Sequence, residues 1–348
     1  MTSADERPNR WNLGLPFKKC AGPDCIVRTN LQRCGACQVV LYCGVEHQMA
    51  HRPQHKSPCK TIKKARENLE REERELRDHP DGINAPENPF VNARAKFWKY
   101  TGTRPYMLAR DELMMAYLSI RTGEAVQVAL GHCLGMLDLC HGDNMGIRNQ
   151  VPALYLRLGR DQEAFDFIKW WAVGTDREYD WGDPSLPYLD MHDEDAFESP
   201  ENCLEDTDCE LSFKAAMACL KIRLLLDMKM LDRCVKKYGN QDYEKKMEWV
   251  RKGAMSDILY KRRDIVEKPD YSEIIAELED QVSKVCASLK EANQHYLTML
   301  DNPESFIHAE MPSAFATGTR EQAIMALRET WYMWSECVPA IKVVKRYK

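Results

Sequence analysis

The chain has 348 residues, of which 44% are hydrophobic and 30% charged, and its formal net charge is −5. This composition is typical of an ordinary soluble protein and gives no reason to expect that the whole chain binds nucleic acid or membranes. No run of 18 or more apolar residues occurs, so we expect no membrane-spanning helix. The first ten residues are polar and charged, which argues against a secretory signal. The fourteen cysteines therefore favour an intracellular, reducing compartment: the cytoplasm, the nucleus or both.

Six of the fourteen cysteines lie between Cys20 and Cys59, in a basic and polar stretch that also holds three histidines. In chain order these residues are Cys20, Cys25, Cys34, Cys37, Cys43, His47, His51, His55 and Cys59. Eight of them form four close pairs, and His51 is left over. Zinc takes four Cys or His ligands in structural sites, so four pairs predict two zinc ions. A segment of this length cannot bury enough apolar surface to fold unaided, and metal binding would supply the missing stability. The alternatives are one zinc ion with spare thiols, or reduced cysteines with only a structural role.

The same segment resembles the MYND zinc-finger family. The resemblance rests on four motifs: Cys34-Gly35-Ala36-Cys37, Leu41-Tyr42-Cys43, the step of three residues from Cys43 to His47, and Pro53-Gln54-His55 followed by Cys59. In that family the two zinc sites interleave. The resemblance therefore implies that Cys20, Cys25, Cys43 and His47 hold one zinc ion, whereas Cys34, Cys37, His55 and Cys59 hold the other.

The segment departs from the family pattern at three points. Four residues, including Gly22-Pro23, separate the first two cysteines where two are usual, and His47 stands where a cysteine is usual. Imidazole is an acceptable zinc ligand, so the site is expected to form. Arg52 occupies the position of a common tryptophan. If residues 45–57 form a helix, His51 lies on the same face as two predicted ligands, but it corresponds to a position that does not bind zinc in the family.

Members of this family bind short, often proline-containing peptides, so the resemblance implies that the partner is a protein or a short peptide. We expect the peptide to add to the strand predicted at Gln38–Tyr42. The missing tryptophan makes recognition of a proline motif doubtful. Residues 1–60 carry nine Lys or Arg against four Asp or Glu, so binding to nucleic acid is an alternative. Basic and aromatic residues do not alternate there, which argues against nucleic acid as the partner.

The remainder of the chain predicts an all-α body. A charged helix is expected over 60–77, with a linker at 80–90. Helical periodicity then recurs in the segments 106–120, 125–139, 150–158, 163–171 and 211–231. The first and third of these end in Arg-x-Gly, 36 residues apart, at Gly123 and Gly159. This offset resembles tetratricopeptide helical hairpins, in which small residues at the turn let helices approach, and an irregular helical domain is the alternative.

An acidic loop is expected at about 175–210, because residues 176–210 hold fourteen Asp or Glu against a single Arg. His192-Asp193-Glu194-Asp195 could bind a hard cation, but a solvated loop is favoured, since the spacing of a calcium loop is absent. Its aromatic residues Tyr179, Trp181 and Tyr188 suggest that parts of the loop pack on the body. After the loop, a capping-box-like start at Asp270–Glu273 predicts a helix whose apolar stripe continues to Leu300. A last amphipathic helix is predicted from Thr319 to Trp334.

No motif for an enzyme is found. The cofactor and tyrosine motifs of the methyltransferases that carry this finger do not occur, nor do the common nucleotide-binding or hydrolase motifs. Cys140-His141 and His132-Cys133 come nearest to a catalytic Cys-His pair. Neighbours on a helix point in different directions, however, so their adjacency in sequence is no evidence for catalysis.

We therefore expect a mostly α chain in four parts: an N-terminal tail at 1–18, a zinc finger at 19–60, a charged helix and linker at 61–90, and a helical body at 91–348. The expected function is that of a zinc-binding adaptor for other proteins. A transcriptional regulator that contacts nucleic acid and an enzyme with an unrecognised helical site are the alternatives.

Overall fold

The computed structural model describes residues 13–174, 178–204, 210–310, 312 and 314–348. In these residues the chain forms fifteen α-helices and a single two-stranded sheet, which confirms the predicted fold class: a small finger with a short hairpin and a helix, followed by an all-helical body. The elements are β1 (Gln32–Arg33), β2 (Leu41–Tyr42), α1 (Val45–Asp78), α2 (Pro89–Asn92), α3 (Arg104–Leu118), α4 (Gly123–Leu139), α5 (Val151–Arg157), α6 (Asp161–Val173), α7 (Glu201–Leu204), α8 (Leu211–Tyr238), α9 (Tyr243–Gly253), α10 (Arg263–Val266), α11 (Ser272–Ala292), α12 (Tyr296–Met299), α13 (Glu304–Ile307), α14 (Arg320–Ser335) and α15 (Val338–Val344). No helix among the described residues has both the length and the hydropathy needed to cross a membrane.

The chain divides into two compact units. The finger unit comprises residues 15–151 and 178–188, and the α8 unit comprises the described residues up to 14, 152–174 and the described part of 189–348. The predicted boundary at residue 60 lies inside α1, because one helix continues out of the zinc-binding segment. The predicted helical body, 91–348, is shared between both units.

Helix α1 joins two segments that the sequence predicts as separate helices. It runs for 34 residues through Pro53 and Pro58, although a proline inside a helix removes a hydrogen bond and costs about 3 kcal/mol. Predicted zinc ligands lie in its first four turns, and coordination of about 10 kcal/mol per ion offsets that cost. The helix ends at Asp78, directly before the predicted stop at residues 79–82.

The finger unit is built on three packed helices. One face of α1 packs against α3, and α3 packs against α4. Ile62 and Ala65 of α1 are buried, as are Leu113 and Met114 of α3. A Cβ on Gly123 would lie 1.9 Å from the Phe17 ring, so this glycine makes room for that ring.

In the α8 unit, α8 is the central helix and packs against α11, α14, α15 and α6. It carries charged residues into the interior, where each has a partner. Arg223 lies 3.0 Å from a carboxylate oxygen of Asp161 and donates to the Leu156 carbonyl at 2.8 Å. Lys221 donates to two backbone carbonyls and to Gln281 Oε1 at 2.8 Å. A buried charge is tolerated only when it is paired or hydrogen-bonded, and these contacts meet that requirement.

Four predictions about secondary structure differ from the structure. The predicted strand at Gln38–Tyr42 keeps only its last two residues, because Gln38 has φ of +62° and its amide closes a turn. The predicted helix to Leu300 ends at Ala292, where the buried Asn293 adopts an extended conformation. The Asp270 carboxylate accepts from the amide and hydroxyl of Ser272, so no reciprocal capping box forms. The predicted last helix is followed by one more, α15.

The acidic segment is held by ion pairs where it is described; residues 175–177 and 205–209 of that prediction lie outside the described residues. Asp193 is 2.5 Å from Lys261, and Asp195 is 2.5 Å from Arg262. Glu194 is 2.7 Å from the Lys169 ammonium. These carboxylates are therefore paired with cations and do not converge on a cation site among the described residues. Short helix α7 also interrupts the predicted loop.

Within the finger unit, the aromatic residues of the acidic segment pack on the body, as predicted, at the turn that follows α4. The Tyr188 ring stacks on His141 with centroids 3.7 Å apart. Trp181 lies against Gly142 and makes an edge contact with Tyr179.

Candidate metal centres

Cluster 1 consists of Cys20, Cys25, Cys43 and His47. Its first two cysteines flank a turn in which the Cys25 amide donates to the Gly22 carbonyl at 3.2 Å. Cys20 forms a β-bridge with Leu41 of β2, and Cys43 directly follows that strand. His47 lies in the first turn of α1. A Cβ on Gly22 would lie 2.5 Å from the His47 ring, so this turn accepts only glycine without rearrangement.

Cluster 2 consists of Cys34, Cys37, His55 and Cys59. Its first two residues lie in the tight turn after β1, where the Gln38 amide donates to the Cys34 carbonyl at 2.9 Å. The other two face this turn from α1, one helical turn apart. All four residues are buried, and Cys37 has no exposed surface.

The distances between sulfur atoms match the edges of a tetrahedron around zinc. With Zn–S bonds of about 2.3 Å, two sulfur ligands of a tetrahedral site lie about 3.8 Å apart. In cluster 1 the Sγ atoms of Cys25 and Cys43 are 3.8 Å apart, and the Nδ1 atom of His47 is 3.5 Å from Cys20 Sγ.

Cluster 2 shows the same spacing. The Sγ atoms of Cys34 and Cys59 are 3.7 Å apart, and the Nε2 atom of His55 is 3.5 Å from Cys37 Sγ. In each cluster all four donor atoms lie within 4.8 Å of one another. The chain therefore has two Cys3His zinc-binding clusters, made from the two interleaved sets that the family resemblance implies.

The thiols of the two clusters differ in acidity. Burial alone would raise the pKa of Cys20, but hydrogen bonds from the Gly22 and Cys43 amides outweigh it and lower the pKa to about 7. Burial, together with the facing thiols of Cys34 and Cys59, raises the pKa of Cys37 to about 12. A bound zinc ion supplies the positive charge that favours the thiolate in such a site.

His51 belongs to neither cluster. Its Nδ1 atom is 3.0 Å from the Tyr42 hydroxyl, and its ring stacks on His55 with centroids 5.5 Å apart. The contact supports the orientation of His55 without adding a ligand. Arg52, at the family's tryptophan position, is exposed on α1.

Two side chains that the sequence analysis did not identify tie cluster 2 to the helices of the finger unit. The guanidinium of Arg66 donates to the Ala36 carbonyl at 2.8 Å, to the Cys37 carbonyl at 3.2 Å and to the Tyr117 hydroxyl at 2.8 Å. The hydroxyl of Thr122, the N-cap of α4, donates to the Val39 carbonyl at 2.9 Å. No local pattern marks these residues, because their partners lie 29 to 83 positions away in the sequence.

The two Cys-His neighbours noted in the sequence have other contacts. Cys133 is fully buried, and the His132 ring stacks on Tyr117 with centroids 5.8 Å apart. Cys140 donates to the Asn144 side chain at 3.3 Å.

Comparison with known proteins supports the assignment of the zinc-binding segment. Residues 18–59 match the family described as MYND finger. No curated protein and no solved structure matches the chain. Together with the geometry of the two clusters, the match identifies residues 18–59 as a MYND-type zinc finger that binds two zinc ions.

Proposed function

We propose that this chain is an adaptor that binds other proteins through its zinc finger. The observation that carries the proposal is the contrast between the interior and the surface of the finger. All eight zinc-binding residues are occupied in forming the two clusters, whereas three large apolar side chains beside them are exposed. Ile26 is 83% exposed, Val45 66% and Met49 67%. Val45 and Met49 lie about one turn apart on the same side of α1, and exposed apolar side chains that lie together are typical of a protein-binding site.

The zinc ions in this proposal have a structural role, and the chain is not an enzyme. Each cluster offers four protein ligands, so a bound ion has no position left for water or a substrate. Six of the ligands are cysteines that must stay reduced, which fits the expected intracellular compartment.

The site for a bound peptide differs from the one expected from the sequence. Strand β2 is paired with β1 on one side, and on the other the Ala21 amide donates to the Leu41 carbonyl at 2.8 Å. A peptide therefore cannot add to β2, and we place it along the exposed edge strand β1 or on the outer face of α1. The proposal leaves room for a second surface on the helices, and the tetratricopeptide-like arrangement of α3–α4 and α5–α6 stays a prediction.

Point variants test the proposal better than truncation, since α1 crosses the end of the finger. The zinc-loaded full chain is screened against an array of short peptides, beside Cys43→Ser and the control Cys234→Ser. Cys234 is a free cysteine of α8 outside both clusters. Elemental analysis should show one zinc ion fewer in Cys43→Ser only, together with the loss of the bound peptides. If Cys43→Ser bound the same peptides equally well, the finger would not be the binding surface.

A DNA-binding assay addresses the regulator alternative in the same samples. Binding to duplex DNA that falls steeply with salt and disappears in Cys43→Ser would favour contact with nucleic acid over the adaptor function.

A further inference from the structure

One stripe along α1 changes from apolar side chains to cationic side chains. Its members are all exposed and follow one another at intervals of three or four residues, so they share one side of the helix. They are Val45, Met49, Arg52, Lys56, Lys60 and Lys63. We call this set the α1 stripe; its first two members are exposed apolar residues of the finger, and the other four are cations.

Most of the cations in the α1 stripe have no ion-pair partner among the described residues. Only Lys63 has a carboxylate nearby, with Glu67 Oε1 at 3.7 Å. Further along the same helix, Arg71 is 2.7 Å from Glu72 and Arg77 is 2.8 Å from Glu73. The first three cations of the α1 stripe have no such carboxylate neighbour among the described residues.

The charge of the finger together with the start of the charged helix reinforces this local excess. Residues 18–64 contain nine Lys or Arg and two Asp or Glu, a net charge of +7 in a chain whose total is −5. Three thiolates and one zinc ion bring a single net negative charge to each cluster. With both ions bound, residues 18–64 keep a net charge of about +5. A surface of this sign attracts an anionic partner.

We propose that the α1 stripe binds an acidic segment of a partner protein, with apolar side chains of that segment against Val45 and Met49. The proposal rests on the proposed adaptor function and names the chemical class of its partner. From Val45 to Lys63 the stripe is about 27 Å long, which an extended segment of about eight residues spans. The apolar end of the stripe buries apolar side chains of the partner segment. The four cations attract its carboxylates and thereby fix its orientation along α1.

Nucleic acid and membranes fit this surface less well. Proteins that bind single-stranded nucleic acid use exposed aromatic rings for stacking, but Tyr42, the aromatic residue between 18 and 64, is 2% exposed. A helix that lies in a membrane has an apolar face along its length, and here the apolar part covers only about one turn.

The test measures binding of two labelled peptides to the zinc-loaded full chain. One has about ten residues, with leucines at one end followed by glutamates, and the other has glutamine in place of every glutamate. We expect the acidic peptide to bind at least about tenfold more tightly, with an advantage that shrinks as salt rises.

Two variants separate the two ends of the stripe. Arg52→Glu with Lys56→Glu should weaken the acidic peptide about tenfold and reduce the salt dependence. Val45→Ser with Met49→Ser should weaken it severalfold and leave the salt dependence unchanged. The matched control is Lys290→Glu with Lys342→Glu, which makes the same charge change at two exposed positions of the α8 unit. Zinc content verifies that the finger is intact in every variant.

The outcomes distinguish this inference from the function on which it rests. If the two peptides bind equally, or if the control variant weakens binding by the same factor, the proposal of an acidic partner is wrong. An adaptor function for neutral peptides would still be possible. Tighter binding of duplex DNA or of vesicles of anionic lipid, lost in Arg52→Glu with Lys56→Glu, assigns the stripe to one of those ligands instead. If no peptide of any composition binds the intact chain, the adaptor function fails as well.

Discussion

Arg66 is the residue through which we expect the zinc finger and the helices to stabilise each other. Its guanidinium makes three hydrogen bonds, to the backbone of the cluster 2 turn at Ala36 and Cys37 and to Tyr117 of α3. Arg66→Met keeps most of the aliphatic stem and removes all three. A hydrogen bond from a charged group contributes about 1.5 to 3 kcal/mol, and Arg66 is half-buried, so water replaces part of the loss. We expect the finger unit to lose about 3 kcal/mol of unfolding free energy.

The assay follows zinc release to a coloured chelator together with urea unfolding by circular dichroism. Because Arg66 contacts the turn of cluster 2 alone, one of the two zinc equivalents should leave at least about tenfold faster while the other keeps its rate. Arg71→Met is the control, since Arg71 lies on the same helix and bonds only to exposed side chains of that helix.

Two results would contradict this reasoning. Unchanged release of both equivalents would mean that the Arg66 contacts add no stability to cluster 2. Equal acceleration of both would mean that the variant loosens the whole finger rather than one turn.

Three further changes test other parts of the structure. Thr122→Val removes the N-cap of α4 and the bond to the Val39 carbonyl, so thermal unfolding should show a loss of about 1 to 2 kcal/mol, and an unchanged melting temperature would exclude this role. Burial and two neighbouring arginines lower the pKa of His132 to about 4, below its unfolded value, so its contribution is present above about pH 6.5 and is lost as the pH falls towards 4. Urea titrations at pH 7 and pH 4 should therefore show that the unfolding free energy of His132→Gln falls by about 2 kcal/mol less than that of the unchanged chain. Equal falls in both proteins would contradict the lowered pKa of His132. Asp161→Ala leaves the buried Arg223 without its carboxylate partner, so the unfolding free energy of the α8 unit should fall by about 3 kcal/mol. A fall of less than about 1 kcal/mol would show that backbone carbonyls alone stabilise the buried guanidinium.

Much of the zinc centre follows from local sequence, because a chelating pair must be close along the chain. The pairs that end at Cys37 and at Cys59 can be recognised from their spacing alone. How the pairs combine into two clusters is different, since Cys34 lies 25 residues from Cys59. That combination came from the family resemblance, and the structure gathers the same sets.

Helices were predictable to within a few residues where apolar residues recur with helical spacing, as in α3, α4 and α14. The pattern failed where a tertiary interaction overrides it. Pro53 and Pro58 each remove a backbone hydrogen bond from α1, yet the helix continues through both and carries His55 and Cys59 to cluster 2. Conversely, the apolar stripe of α11 continues beyond Ala292, but the Asn293 side chain donates to the Thr319 carbonyl at 2.8 Å and the helix ends there.

The amino-acid sequence by itself determined the zinc-binding residue types, the helical class and the basic character of the finger, because each depends on residues near one another in the chain. Only the tertiary structure decided that cluster 2 is joined to α3 and α4 through Arg66 and Thr122, and that β2 has no edge left for a peptide. Those features depend on contacts between distant segments, and a hydrogen bond between a side chain and a remote carbonyl leaves no periodic or spacing pattern in the sequence.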